Sequence, residues 1–339
     1  MTELYGQRIQ TTVKQEYLPF LVDTVLNSNV FLQRMVRGSK DWNGRTLRVP
    51  VKVAKNTTGT SFRGFDTFST SATDNRQYME YTPCFYQITC ALPGDELSVA
   101  DTDDKVLDLM KLTIQSDTED MADNLGDIFY ADGTGNGSRD PLGLAALVDD
   151  GSNVASIGGL ARASYATLAS TVTSSSGAIS LAKVDTLWAA VVSGAQKPTV
   201  IMTTETCFNL YGQLLRPQER ITKEVGTMKA LSSGTGFDAL MYNGKPILMD
   251  EKCTSGAFIM LNENYVDWYA LPYFNASPVE YQSQIEGNDY DAPVGLGFSW
   301  SDWIIPANSA SVVGHIYFGG QLITTNPKRH GKLTVITGV

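Results

Sequence analysis

From residue 2 to 37 apolar side chains recur at helical spacing. Ile9, Val13 and Tyr17 repeat at i, i+4, and Leu21, Val25 and Leu26 resume after Pro19. This predicts an arm of helix, broken or kinked at Pro19 and ending near Gly38. The period then changes. Over residues 46–55, Leu47, Val49, Val51 and Val53 alternate with Arg48 and Lys52, which predicts a half-exposed strand. Pro50 inside it favours a sheet edge. A second β-rich run spans 78–92. Residues 56–77 between the runs are mostly Thr, Ser, Gly, Asn and Asp, punctuated by Phe62, Phe65 and Phe68. Two strands thus frame a long polar loop with an aromatic tip. A lone two-stranded ribbon is marginal in water, so this one needs support, from its own domain or from another chain.

Residues 98–131 carry the clearest helical pattern. Val106, Met110, Ile114, Met121, Leu125 and Ile128 form an apolar stripe. Asp101 suits the cap, and Asp103 and Asp104 suit the positive first turn. Asp108, Asp117, Glu119, Asp120, Asp123 and Asp127 crowd the remaining surface. Such a helix would span roughly 45 Å before the Gly-rich segment 132–143. Further on, the pattern predicts helices near 180–193 and 205–215 around a buried strand after Pro198. Residues 216–236 are charged, then glycine-rich, and expected to be mobile. Short apolar runs follow (ALMY, PILMD, AFIML, VDWYAL), the first two joined by a hairpin turn at Asn243-Gly244-Lys245. Residues 294–339 read as β, with a hairpin expected at 326–332. No internal repeat is visible.

Composition narrows the class. A length of 339 residues suggests about two domains. An apolar fraction of 42% argues against disorder. The net charge of −10 argues against a protein that grips nucleic acid, though not against one that encloses it. Charge is also uneven. Residues 1–63 hold 10 basic and 4 acidic side chains, and residues 95–150 hold 3 basic and 15 acidic ones. Basic front and acidic middle are therefore expected to meet, within one subunit or between subunits. No run of 18 apolar residues predicts a membrane span. The start lacks a signal-peptide pattern, and the four cysteines are expected as reduced thiols of a cytosolic product.

Catalytic chemistry finds little support. His315 and His330 are the only histidines, with no HExxH and no GxSxG. Residues 132–140 space oxygens at Asp132, Thr134, Asn136, Ser138 and Asp140 in the manner of a calcium loop. Gly143 stands where the bidentate acid belongs, leaving at most a weak cation site. No catalytic residue, metal or cofactor is assigned. The acidic helix face reads as a solvated or partner-facing surface. Only Arg63 and Arg76 are basic near the aromatic tip, so Phe62, Phe65 and Phe68 favour a protein contact over base stacking. A hydrolase lacks its histidines and nucleophile motif here, and a secreted carbohydrate-binding β protein lacks its signal peptide.

The order of parts carries a resemblance: basic helical arm, long β loop, long acidic helix, α/β body, closing strands. With the segments KPTVIMTTETCFNLYGQLL, GFDALMYNGKPILMDEKCTSGAFIMLNENYVDWYAL and YFGGQLITTNPKRHGKLTVITG, the chain resembles the major capsid proteins of tailed bacteriophages, the Hong Kong 97-type fold. The resemblance implies an α+β fold with an N-arm over 1–40 and an extended loop over 41–95. It implies a peripheral domain over 96–154 and 292–339, with a spine helix over 101–131, and an axial domain over 155–291. It implies pentamers and hexamers of this chain in an icosahedral virion head, assembled in the host cytoplasm around double-stranded DNA. Partners so implied are a portal at one vertex, a separate scaffolding protein, since no segment precedes the arm, and a decoration or cement protein. No membrane is involved.

The loop tip, with Phe62, Arg63, Phe65, Phe68 and Arg76, would lie on a neighbouring subunit. The basic side (Arg34, Arg37, Lys40, Arg45, Arg48, Lys52) would find an acidic spine helix there. Lys328, Arg329 and His330 would form a peripheral-domain loop. Some members weld subunits through a lysine on the extended loop. Residues 56–77 hold no lysine, so mature particles are expected to run without covalent ladders on a denaturing gel. An encapsulin-like compartment around a cargo enzyme is the alternative within the same fold.

Overall fold

The computed structural model describes residues 29–71, 74–95, 103–174, 177–215, 240–271, 297–301 and 303–338. The arm before residue 29, Asp101 and the segment 216–236 lie outside the described residues, as do the side chains of Arg37 and Asp108. In chain order the elements are α1 (Val30–Arg37), β1 (Lys40–Asp41), β2 (Leu47–Lys52), β3 (Arg76–Tyr81), β4 (Cys84–Pro93) and α2 (Asp103–Tyr130). Next come β5 (Ser156–Ile157), β6 (Leu160–Ala161), β7 (Thr171–Thr173), β8 (Gly177–Ala178), α3 (Leu181–Val191), β9 (Val200–Thr203) and α4 (Glu205–Leu215). The chain ends with β10 (Leu240–Tyr242), β11 (Lys245–Met249), β12 (Phe258–Leu261), β13 (Val266–Ala270), β14 (Phe298–Trp300), β15 (Ser311–Thr324), β16 (Gly331–Leu333) and β17 (Ile336–Gly338). These divide into two compact units.

The first unit takes the described parts of 1–45, 83–143 and 267–322. Its sheet runs β1-β13-β15-β14, with β4 also on β15. β4 and β15 are antiparallel from Ser311↔Pro93 to Gly320↔Cys84. Helix α2 has 28 residues, about 42 Å at 1.5 Å each. It buries Met110, Ile114, Met121, Leu125 and Ile128, the stripe that its spacing predicts. Aromatic rings fill the core. Trp268 stacks on Phe318 at 5.0 Å and 7°, and Phe129 closes on Trp268 at 5.0 Å. Phe31 of α1 meets Phe129 edge-on at 6.1 Å. β1 runs parallel to β13, and Lys40 Nζ lies 2.7 Å from Asp267 Oδ2.

The second unit takes 46–82, 144–266 and 323–339, as far as these are described. A six-stranded sheet runs β10-β11-β9-β12-β16-β7. β9, the VIMT run, is buried at all four positions, as a central strand requires. Its core joins Val184, Leu187 and Val191 of α3 and Cys207 and Tyr211 of α4 with Ile201, Ile247, Phe258 and Met260 of the sheet. The β10–β11 turn holds Asn243 at φ 48° and Gly244 at φ 74°. This is the two-residue hairpin geometry that Asn-Gly favours.

Two expectations are corrected. The run 78–92 is two strands, broken at Thr82-Pro83. β3 pairs with β2 whereas β4 enters the sheet of the first unit. Residues 326–332 are not a hairpin. A helical turn at Pro327–Arg329 carries the chain from β15 to β16, and these belong to different sheets. The turn residues mark where the chain bends, but the receiving strand is β12, whose partners are set by burial far away in sequence.

Candidate functional site

Alternation along β2 and β3 decides how the ribbon sits. The two strands are antiparallel from Leu47↔Tyr81 to Lys52↔Arg76. Leu47, Val49 and Val51 share one face with Gln77, Met79 and Tyr81, and Val51, Met79 and Tyr81 are buried. The Glu80 N–H donates to Gly158 O at 3.0 Å. Gly158, at φ +54°, comes so close that a Cβ there would lie 2.4 Å from Met79 Cβ, so only glycine fits. Tyr81 OH donates to Thr324 O at 3.3 Å. The root of the ribbon is therefore clamped to its own unit.

The outer face carries Arg48, Pro50, Lys52, Arg76, Tyr78 and Glu80. Arg48 sits 5.0 Å from the Tyr78 ring centroid and 3.5 Å from Glu80 Oε2. Past Val53 and Asn75 no strand is described. At the tip, the Arg63 N–H donates to Asp66 Oδ2 at 2.8 Å, closing a tight turn. Phe62 and Phe68 meet edge-on at 5.0 Å. They are 66% and 61% exposed, and Phe65 is 104% exposed. Soluble chains rarely leave three phenylalanines this bare, and such patches mark interaction sites.

The same unit contains a charged knot that sequence reasoning missed. Arg162 is buried, and its guanidinium donates to the carbonyls of Ala146, Asp149 and Leu168. Fully buried Asp149 accepts from the amides of Gly151, Asn153 and Val154 through Oδ2, at 2.9–3.2 Å. Lys332 Nζ lies 3.8 Å from its Oδ1. Burial lowers the Lys332 pKa, against the pull of Asp149 and Asp150. These charges hold loops together. They have no periodicity to betray them, because most of their partners are backbone groups.

His330 is fully buried, while Lys328 is exposed and Arg329 half-buried. The Asn262 N–H donates to His330 Nδ1 at 3.3 Å, and Nε2 lies 3.2 Å from Thr324 Oγ1. Nδ1 accepts, so the assigned tautomer carries its proton on Nε2. Burial pushes the pKa down to about 3. The unfolded chain binds a proton near pH 6.5 that the folded chain refuses. The contribution of His330 to stability is therefore full above about pH 6.5 and is lost as pH falls toward 3, at up to about 1.4 kcal/mol per pH unit. Urea midpoints between pH 6 and 4 should show this slope. A His330→Gln variant should have a shallower one, and an equal slope would contradict the assignment.

The remaining candidates are placed as follows. Glu119, Asp120, Asp123 and Asp127 are exposed on α2 and Asp117 is half-buried. Arg34, Lys40, Arg45, Arg48 and Lys52 are exposed. Asp132 accepts from the Thr134 amide and hydroxyl, and Asn136 Nδ2 donates to Asp140 Oδ1 at 2.7 Å, so this loop ties itself. Among the described residues no group of three or more His, Cys, Asp or Glu could hold a metal. Burial, then neighbouring Asp117, pushes up the pKa of the Cys90 thiol. No described helix is long and apolar enough to cross a membrane.

No protein-family model and no curated protein matches the chain. Solved structures do. A cyanophage A-1(L) capsid asymmetric unit matches with TM-score 0.66 at 14% identity, over 92% of this chain and 93% of that chain. The capsid of a native GTA particle matches with TM-score 0.56 at 12% identity, over 92% and 91%. The holo-SrpI encapsulin complex from Synechococcus elongatus PCC 7942 matches with TM-score 0.55 at 13% identity, over 90% and 86%. At these identities the likeness shows the fold: a mixed α+β architecture shared with phage capsids and an encapsulin.

Proposed function

We propose that this chain is a major capsid protein, a structural subunit that assembles with copies of itself into the icosahedral head of a tailed phage. The observation that carries this reading is the ribbon: clamped at its root, bare at its aromatic tip, on a fold shared with phage capsids. A tip that finds no cover among the described residues is fitted to bind another subunit. Pentamers and hexamers would form through the two units, and the ribbons would lace neighbouring copies. Repetition by symmetry turns modest contacts into a closed shell. In the proposed correspondence α2 is the spine helix of a peripheral domain, and the six-stranded sheet with α3 and α4 is the body of an axial domain. The role is structural rather than catalytic. A separate scaffolding protein, a portal and a cement protein are the proposed partners, in a virion assembled in the host cytoplasm. The acidic balance would let enclosed DNA slide, because few counterions are released on contact with the wall.

An encapsulin-like shell around a cargo enzyme is the second reading, favoured by the likeness to the SrpI complex. Particles purified from the native source decide between them. Nuclease-protected double-stranded DNA inside supports the phage head. A stoichiometric cargo protein and no DNA overturns it in favour of the compartment.

A further inference from the structure

We infer that Asn43 is a modification site of this chain: its side-chain amide is lost by spontaneous deamidation through the Gly44 nitrogen, just before the chain leaves the first unit for the second. The inference stands apart from the shell reading. Three Asn-Gly pairs occur, at 43–44, 136–137 and 243–244. A glycine after asparagine has no Cβ to shield its nitrogen, so by sequence all three are equal candidates. The structure separates them. Asn136, at φ 50° and ψ 36°, turns the Gly137 nitrogen away from its own Cβ, and its Nδ2 donates to Asp140 Oδ1 at 2.7 Å. Asn243 sits at φ 48° in a hairpin turn closed by the Tyr242↔Lys245 pair. Each must open its turn before its amide carbon can meet the next nitrogen.

Asn43 has neither restraint. It is exposed, lies in no helix or strand, and keeps an ordinary negative φ. Among the described residues, neither its side chain nor the Gly44 N–H has a hydrogen-bond partner. Gly44, at φ +85°, has open space where a Cβ would stand. The Gly44 carbonyl accepts from Trp42 Nε1 at 2.8 Å, and buried Trp42 is itself fixed by its N–H to Ala270 O. The nucleophile is thus held in place with its nitrogen free. The Gly44 nitrogen attacks Asn43 Cγ, the Cγ–Nδ2 bond breaks, and ammonia leaves with the proton that Gly44 gives up. Water then opens the cyclic imide at one of its two carbonyls. One product is aspartate. The other is isoaspartate, whose main chain is longer by a methylene. Because the attacking N–H bonds nothing, ring closure forfeits no hydrogen bond of the fold.

Peptide mapping by mass spectrometry tests this on the folded full chain held in mildly alkaline buffer, with isoaspartate read by labelling with an isoaspartyl methyltransferase. Asn43 should convert at least about tenfold faster than Asn136 or Asn243, the ratio that about 1.4 kcal/mol of local opening at the two turns imposes. In the urea-unfolded chain the three rates should converge, because the turns are gone. Asn43→Gln, whose longer side chain closes the ring poorly, should stop the modification and leave the melting temperature unchanged. Equal rates at the three sites in the folded chain, or a slower rate at Asn43, overturn the inference. A lead of Asn43 that persists in urea also overturns it, because the selectivity would then come from neighbouring sequence and not from the fold.

Discussion

Replacing Phe62, Phe65 and Phe68 together by serine is expected to leave the subunit folded and to abolish the closed particles of the proposed shell. The three rings are 66%, 104% and 61% exposed, so the isolated subunit loses almost no buried area with them. At an interface the loss is large. Fully burying one phenylalanine is worth about 1.5–3 kcal/mol, so three give about 5–9 kcal/mol per contact before ordering costs. Losing even the lower figure weakens each contact more than about a thousandfold. Deleting the loop from 58 to 74 should do the same. Thermal melts and gradient sedimentation of the same sample read the two effects separately. Particles of normal size and yield from the triple variant would show that the tip does not lace the shell.

The second large effect is on stability. Arg162→Met should cost about 3–5 kcal/mol, the range for breaking a buried charge network. The carbonyls of Ala146, Asp149 and Leu168 would lose their donor inside the protein. For a unit of this size that is a drop of about 10 °C in melting temperature. With two units the melt need not be one transition, so the shift should fall on the transition of the unit that carries the knot. A shift under about 2 °C would mean that water or another side chain replaces the guanidinium. The Arg162 bonds span Ala146 to Leu168 and flank the Gly158 contact that clamps the ribbon. The same variant should therefore speed hydrogen exchange at the Glu80 amide.

Periodicity made the long elements legible. The stripe from Met110 to Ile128, the buried VIMT strand and the helix over 205–215 stand where apolar spacing places them. Asn243-Gly244 names its own turn through left-handed backbone angles. Strand partners were less legible, because pairing is decided by residues far apart in sequence. That is why 326–332 misleads. The break at Thr82-Pro83 was passed over in the run 78–92, although proline cannot donate to a ladder and so marks it. Arg162 lies among small residues such as Gly159, Ala161 and Ala163 and bonds to carbonyls, which have no sequence signature. His330 sits in a run that looks solvated, and only the packed structure buries it. The three bare phenylalanines were legible as a tip. Their exposure became visible only with the clamp at Gly158.

Negative-stain electron microscopy of the purified chain, with light scattering on the same sample, tests the central claim most directly. Shells, tubes, or rings of five or six subunits are the expected result. A species that stays strictly monomeric, alone and when co-expressed with its neighbouring genes, would contradict it.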